Sequence, residues 1–252
     1  MPVGANVKSP MSVWVVIAVA SGLTCTVTPD AAAQDPSALW RIVHEQCVPR
    51  AREFGVPLPC ADVQREYAIL KDLRGKSQFL LIATARISGV DDPAILLPAV
   101  PNYWQSAWEA TRFVEALLDR HLPRDALSLA INSARSRSQD QLHIHIDCVS
   151  EDVRKLLRDR GRDVGRTWAP FPAPLSGHAY RAMRIDTLIQ PGATPFEVLA
   201  RLPDARADMA AESLVVVGAT FEDGSSGFYL LETRVAGGEE LQDHDCAVAS
   251  GS

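Results

Sequence analysis

The sequence predicts an α+β fold made of two successive units, the first larger. Three observations carry this. Residues 126–131 and 139–149 alternate in period two, as strands do. Two pairs of apolar runs are joined by turn-rich connections, as in hairpins: Tyr67 to Lys71 with Gln78 to Ala83, and Leu214 to Phe221 with Phe228 to Thr233. Segments with 3- and 4-residue apolar spacing lie among them.

The elements follow in chain order. Lys8 is the only charge before Asp30, and it precedes the apolar stretch Met11 to Ala20 and the run Ala31-Ala32-Ala33. That pattern is a secretory leader cleaved after Ala33, or else an uncleaved anchor; the apolar core is short for a spanning helix. Residues 1–33 are therefore a signal peptide or membrane anchor, and 34–252 the folded domain. Its catalytic part covers about 34–162 and a C-terminal α+β unit about 163–252. Residues 36–47 read as a helix through Leu39, Ile42, Val43 and Gln46. Asp72 to Ser77 joins the first hairpin. Asn102 caps a helix running to Arg120, with Trp104, Ala107, Trp108, Thr111 and Val114 on adjacent turns. Asn132 to Ser138 is a polar turn between the two alternating strands. Ser150-Glu151-Asp152 starts a helix with Val153, Leu156 and Leu157 inward. Residues 163–195 read as a long ordered connection, and Phe196 to Met209 as a helix. The last hairpin turns at Asp223-Gly224.

The formal charge of −6 leaves no global basic field for nucleic acid. A small site for a polyphosphate needs only local cations. Beyond the leader lie Cys47, Cys60, Cys148 and Cys246. In an exported chain, four cysteines allow three disulfide pairings. The favoured set is Cys47–Cys60, closing a Pro-rich loop, with Cys148–Cys246 tying the C-terminal tail to a central strand. Free buried thiols are the alternative, and the spacings fit no zinc site.

The strand Gln139 to Cys148 carries the chemistry. Leu142, Ile144 and Ile146 point into the core, while Gln141, His143, His145 and Asp147 share the other face. Such a row serves as a solvated sheet face, as two ligands of a metal site, or as a nucleophilic histidine with a neighbour that fixes its tautomer. The sequence offers no further cluster to complete a metal site.

The alternating strand resembles the histidine-triad superfamily motif. More specifically, the chain resembles the CDP-diacylglycerol pyrophosphatase family over nearly its whole length. The segments that carry the resemblance are LWRIVHEQCVP (39–49), PCADV (59–63), LKDLRG (70–75), QFLLIATARISGVDDP (78–93), PNYWQSAW (101–108), SLAINSARSRSQDQLHIHIDCV (128–149), LSGHAYRAMRI (175–185) and LQDHDC (241–246). The C-terminal helix–hairpin unit reads separately as a degenerate second copy lacking catalytic histidines. The resemblance implies an antiparallel sheet with helices on one face. It implies hydrolysis of CDP-diacylglycerol to CMP and phosphatidate, with no cofactor or metal.

In that register Gln141 replaces the first histidine of the motif, His143 attacks phosphorus to form a cytidylyl-histidine, and His145 orients or donates to the phosphate. A register shifted to His143, His145 and Asp147 would make His145 the attacker. Asn132, Ser133, Gln139 and Gln141 are candidate donors to the substrate, and Arg86 and Lys71 candidate cations. Arg135 and Arg137 in the turn are weaker candidates. His178 and His244 fall in family-matching segments with roles left open. The expected partner is CDP-diacylglycerol at a membrane surface. No nucleic acid or protein partner is implied, and the expected location is periplasmic or inner-membrane-associated in a bacterium. A hydrolase of soluble nucleotide diphosphates or nucleoside phosphoramidates, and a non-catalytic binding module, are the rival functions.

Overall fold

The computed structural model describes Met1, residues 35–190 and residues 192–249. The leader or anchor expected over residues 1–33 lies, apart from Met1, outside the described residues.

A long helix opens the domain as α1 (Ala38–Arg41), a π-helical stretch (Ile42–Cys47) and α2 (Val48–Phe54). It continues past Cys47, where the spacing predicts its end. Pro49 has no N–H for the carbonyl one turn back, and the wider π turn before it absorbs the mismatch without breaking the helix. Gly55 ends it at φ 69°, a left-handed conformation that glycine adopts without steric cost.

The rest of the chain forms β1 (Asp62–Val63), β2 (Tyr67–Lys71), β3 (Phe79–Ala83), α3 (Tyr103–Glu109), α4 (Thr111–Leu118), β4 (Leu127–Ile131), β5 (His143–Val149) and α5 (Glu151–Arg160). Then come β6 (Ala169–Pro170), β7 (Arg181–Ile185), α6 (Pro195–Leu199), α7 (Pro203–Ala207), β8 (Ser213–Thr220), β9 (Ser226–Thr233) and β10 (Gln242–Asp243). The helix expected over 102–120 breaks at Ala110, whose ψ of −4° departs from helical geometry. The helix expected over 196–209 divides before Pro203, which opens α7. Strand β5 starts at His143 and not at Gln139. The N–H groups of Asp140 and Leu142 donate instead to the carbonyls of Pro36 and Ile87, outside the ladder. The connection expected over 163–195 contains β6 and β7. The sequence of β7, Arg-Ala-Met-Arg-Ile, has no clean alternation to reveal it.

The strands form one antiparallel sheet in the order β1-β2-β3-β5-β4-β8-β9-β7-β6, with β10 beside the end of β5. Outward from the β4–β8 pair, one side reads β4, β5, β3, β2 and the other β8, β9, β7, β6. Apart from the two-residue strands β1 and β10, each side comes from the same succession along the chain: a helix, two strands, a helical pair, two strands.

The α+β antiparallel sheet is as the resemblance implied, but helices cover both faces of it. On one face Trp104 and Val114 of the α3–α4 pair and Phe196 of α6 pack with Leu129, Ile144 and Leu230. On the other, Leu39, Val43 and Cys47 cover Leu80 and Ile82, and Val153 and Leu157 of α5 cover Val215 and Val217. That second face carries Arg184 at its far end and the histidine row. Its flanking strands are apolar and must be withdrawn from water.

Cys47–Cys60 and Cys148–Cys246 are both disulfide-bonded, across sequence separations of 13 and 98. The first ties the opening helix to the segment before β1. The second clamps the tail that carries β10 onto β5.

Candidate active site

Strand β5 is held on both edges, by β3 and by β4. Ile144 and Ile146 are buried beneath the α3–α4 layer. His143, His145 and Asp147 therefore turn toward the opposite layer, the side covered by the opening helix. A cavity of about 490 Å³ lies there. Its apolar wall includes Leu39, Ile42, Leu70 and Leu80, and its polar lining includes Asn132, Gln139, His143, His145 and Glu239. Lys71, Asp72, Leu73 and Arg74 line it from the β2–β3 turn.

His143 Nδ1 lies 2.7 Å from the Gln141 carbonyl oxygen. A carbonyl can only accept, so Nδ1 carries the proton and Nε2 keeps its lone pair. His145 Nδ1 lies 3.0 Å from the Gln78 amide nitrogen and 3.3 Å from Glu239 Oε2. Its Nε2 is buried with no hydrogen-bond partner among the described residues. The two ring centroids are 5.0 Å apart. Burial pulls both imidazoles down to about 4, and for His143 the neighbouring His145 adds to the effect. Both rings are therefore neutral at pH 7.

Asp147 sits behind the cavity, fully buried. It accepts from Ser77 Oγ at 2.6 Å and from the Cys148 N–H at 2.8 Å, and its other oxygen lies 2.8 Å from His244 Nδ1. Burial pushes the Asp147 carboxyl up, while the hydrogen bond to Asp147 raises His244. One proton is thus held firmly within this pair. We place it on the imidazole, which is half-exposed and keeps some solvation.

The structure brings together only part of the set picked from sequence. Asn132, Gln139, His143, His145 and Lys71 line the cavity. The Lys71 amine donates to the carbonyls of Asp72 (2.8 Å) and Gly75 (3.2 Å) at its edge. Gln139 accepts from the Leu39 N–H and donates to the Asp35 carbonyl, both at 3.0 Å, fixing the start of the opening helix over the site.

The other candidates lie outside the lining. Gln141 is fully buried and donates to the carbonyls of Ala83 (2.7 Å) and Ala85 (2.8 Å). Ser133 bonds within its own turn, to Ser136 Oγ at 3.1 Å. Arg86 stacks on Trp40, 4.8 Å from the ring centroid, and reaches Ser37 Oγ at 3.2 Å. Arg137 is paired with Asp91 and Asp140, and Arg135 with Asp208. His178 pairs with Glu240.

Sequence reasoning missed Glu239 and Gln78. Glu239 accepts from the Asn132 amide at 3.1 Å as well as approaching His145. A clue lay in its position two residues before the family-matching segment at 241–246. Among the described residues no group of three or more His, Cys, Asp or Glu side chains is placed to hold a metal ion.

A neutral imidazole with an anchored Nδ1–H, cations at the rim and neutral donors on the wall suit a hydrolase of phosphate compounds. A family model described as CDP-diacylglycerol pyrophosphatase matches residues 34–250. The chain belongs to that family, and is a hydrolase that cleaves the pyrophosphate of CDP-diacylglycerol.

Proposed function

We propose that the chain cleaves CDP-diacylglycerol in two steps through His143. Nε2 attacks the cytidylyl phosphorus, the bond to the bridging oxygen breaks, and phosphatidate leaves. Water then cleaves the P–N bond, releasing CMP and restoring the imidazole. The 2.7 Å contact of His143 Nδ1 with the Gln141 carbonyl carries this reading. It fixes the tautomer with the attacking lone pair on Nε2, and the same carbonyl stabilises the Nδ1–H once Nε2 is bonded to phosphorus. The buried Nε2 of His145 is less well placed to attack, which favours the register with His143 in the middle. Lys71 and Arg74 are cations suited to the departing phosphate, and Asn132 is a donor to the non-bridging oxygens.

Mass spectrometry of acid-quenched reactions tests this. A cytidylyl adduct is expected on the peptide bearing His143. It is expected to vanish with turnover in His143→Ala and to persist at reduced rate in His145→Ala. An adduct on His145, or an active His143→Ala enzyme, would overturn the assignment.

We propose further that catalysis takes place at a membrane surface after export. The two disulfides are consistent with an oxidising compartment. No helix among the described residues is long and apolar enough to cross a membrane. At the cavity mouth Leu73 is fully exposed, and Leu58 is exposed beside Pro59 of the cavity wall. Phe54 and Val56, also exposed, precede them in the chain. An apolar rim of this kind suits a substrate whose acyl chains stay in a bilayer.

A further inference from the structure

A second cavity, of about 590 Å³, lies in the C-terminal half of the sheet. It opens on the same face as the histidine row. Asp147 pairs with Ser128, Ser128 with Val217, Val217 with Tyr229 and Tyr229 with Arg184, a register line crossing four strand boundaries. Residues paired across a sheet share a face, and Val217, Tyr229 and Arg184 all line this cavity.

The two cavities are also bounded by equivalent parts. Each lies under the helix that opens its half, beside the loop joining that half's last two strands, and against the last strand itself. These parts are the opening helix, the β4–β5 loop and β5 in one half, and α5, the β8–β9 loop and β9 in the other. No histidine lines the second cavity; Arg154, Arg158, Arg162 and Arg184 do. Arg154 and Arg158 are engaged by Asp125, at 2.8 and 2.6 Å. Arg184 Nε is buried without a hydrogen-bond partner among the described residues, and its guanidinium lies 5.1 Å from the Phe221 ring centroid. Asp125, Glu222 and Asp223 are the lining carboxylates. Asp223 hydrogen-bonds Ser225 at 2.9 and 2.6 Å, and with these bonds the charge of Arg184 helps hold its carboxyl below the ordinary value. Tyr229 lines the cavity and is only 8% exposed. Gly161 makes room for it, since a Cβ there would stand 2.1 Å from the hydroxyl oxygen.

We propose that the C-terminal half is a degenerate copy of the catalytic half and that its cavity is a non-catalytic phosphomonoester site built on Tyr229, Arg184 and Arg162. Guanidiniums grip phosphate through paired N–H donors, and a phenol donates one more hydrogen bond. Burial raises the Tyr229 hydroxyl, so it remains a donor at neutral pH. None of these groups supplies a ready nucleophile toward phosphorus, so the site binds without turning over. Both products of the proposed reaction, CMP and phosphatidate, are phosphomonoesters. That choice of ligands rests on the proposed reaction; the site itself does not.

Isothermal titration of the full chain with inorganic phosphate, CMP and dihexanoyl phosphatidate tests the site, with initial rates of CMP release measured in parallel. Two equivalents of at least one probe are expected to bind the wild type. One equivalent should weaken at least tenfold in Arg184→Gln and in the exposed-site variant Arg162→Gln, and about fivefold in Tyr229→Phe, with rates within twofold of wild type. Binding of CMP and inorganic phosphate alongside phosphatidate assigns the site to free phosphomonoesters; binding of phosphatidate alone assigns it to a lipid headgroup. A single equivalent in the wild type, or two equivalents that survive both arginine substitutions, overturns the proposal. A protein that binds two equivalents but releases no CMP would defeat the proposed reaction and leave this site standing.

Discussion

His143 and His145 lie on a central strand, only 7% and 6% exposed, in a cavity walled in part by the opening helix. An imidazolium loses its hydration there, so both rings stay neutral down to about pH 4, against an ordinary value of 6.5. The acid limb of kcat/KM should therefore fall well below pH 6.5, and a limb at the ordinary histidine value would show that the rings are solvated in the working enzyme. The same shift bears on stability. The unfolded chain takes up protons near pH 6.5 while the folded chain resists until about pH 4. The stabilisation is thus complete above 6.5 and is lost as pH falls through that window. His244, raised by Asp147, acts in the opposite sense: its contribution is complete below 6.5 and is lost as pH rises. The melting temperature should decline between pH 6.5 and 4.5, and by less in His143→Gln. That a histidine row existed was plain from the alternation at 141–147. That Gln141 would serve the carbonyls of Ala83 and Ala85 and not the cavity was not, because the strand begins at His143 and not at Gln139.

Among the elements, the tail around β10 brings Glu239 into the cavity and His244 against Asp147. It runs along the end of β5, pairing Gln242 with Val149 and Asp243 with Cys148. Glu239 reaches His145 and Asn132, and His244 binds Asp147. Cys148–Cys246 clamps this tail across 98 residues of chain. Replacing both of these cysteines by serine should cost about 2–5 kcal/mol of stability. It should also lower kcat severalfold at temperatures where the variant remains folded. The Cys47→Ser, Cys60→Ser pair removes a bridge across a sequence separation of 13 and should cost stability with a smaller effect on kcat. Urea titration and CMP release, compared across the two double variants, check this. Equal kcat in both would remove the tail from catalysis.

Across the whole molecule, one sheet presents a histidine cavity and an arginine cavity on the same face, and the first opens beside exposed apolar side chains. Phe54 and Leu58 lie outside the cavity lining, so they separate surface binding from chemistry. Phe54→Glu with Leu58→Glu should reduce hydrolysis of CDP-diacylglycerol in anionic vesicles at least fivefold. It should leave hydrolysis of a monomeric short-chain analogue unchanged. Flotation of the protein with vesicles provides the direct readout, and equal flotation of variant and wild type would show that this rim does not touch the bilayer. Loss of flotation on deletion of residues 2–34, with the rim intact, would instead assign membrane contact to the N-terminal segment.

Local pattern by itself determined the α+β class, the histidine strand with its inward isoleucines, the two hairpins and most helix starts. These depend on side-chain periodicity and turn chemistry within a few residues. The pairing of Cys47 with Cys60 was legible for a similar reason, since a short loop brings the two together. Only the tertiary structure decided which polar residues reach the cavity. Gln141, Ser133 and Arg86 found nearer partners in backbone, turn and helix, whereas Glu239 arrived from a tail about 100 residues away in the chain. It likewise decided that helices cover both faces and that the two halves meet at β4 and β8. Those outcomes depend on which apolar surfaces are left to bury once the sheet has formed, a property of the assembled sheet that no single segment encodes.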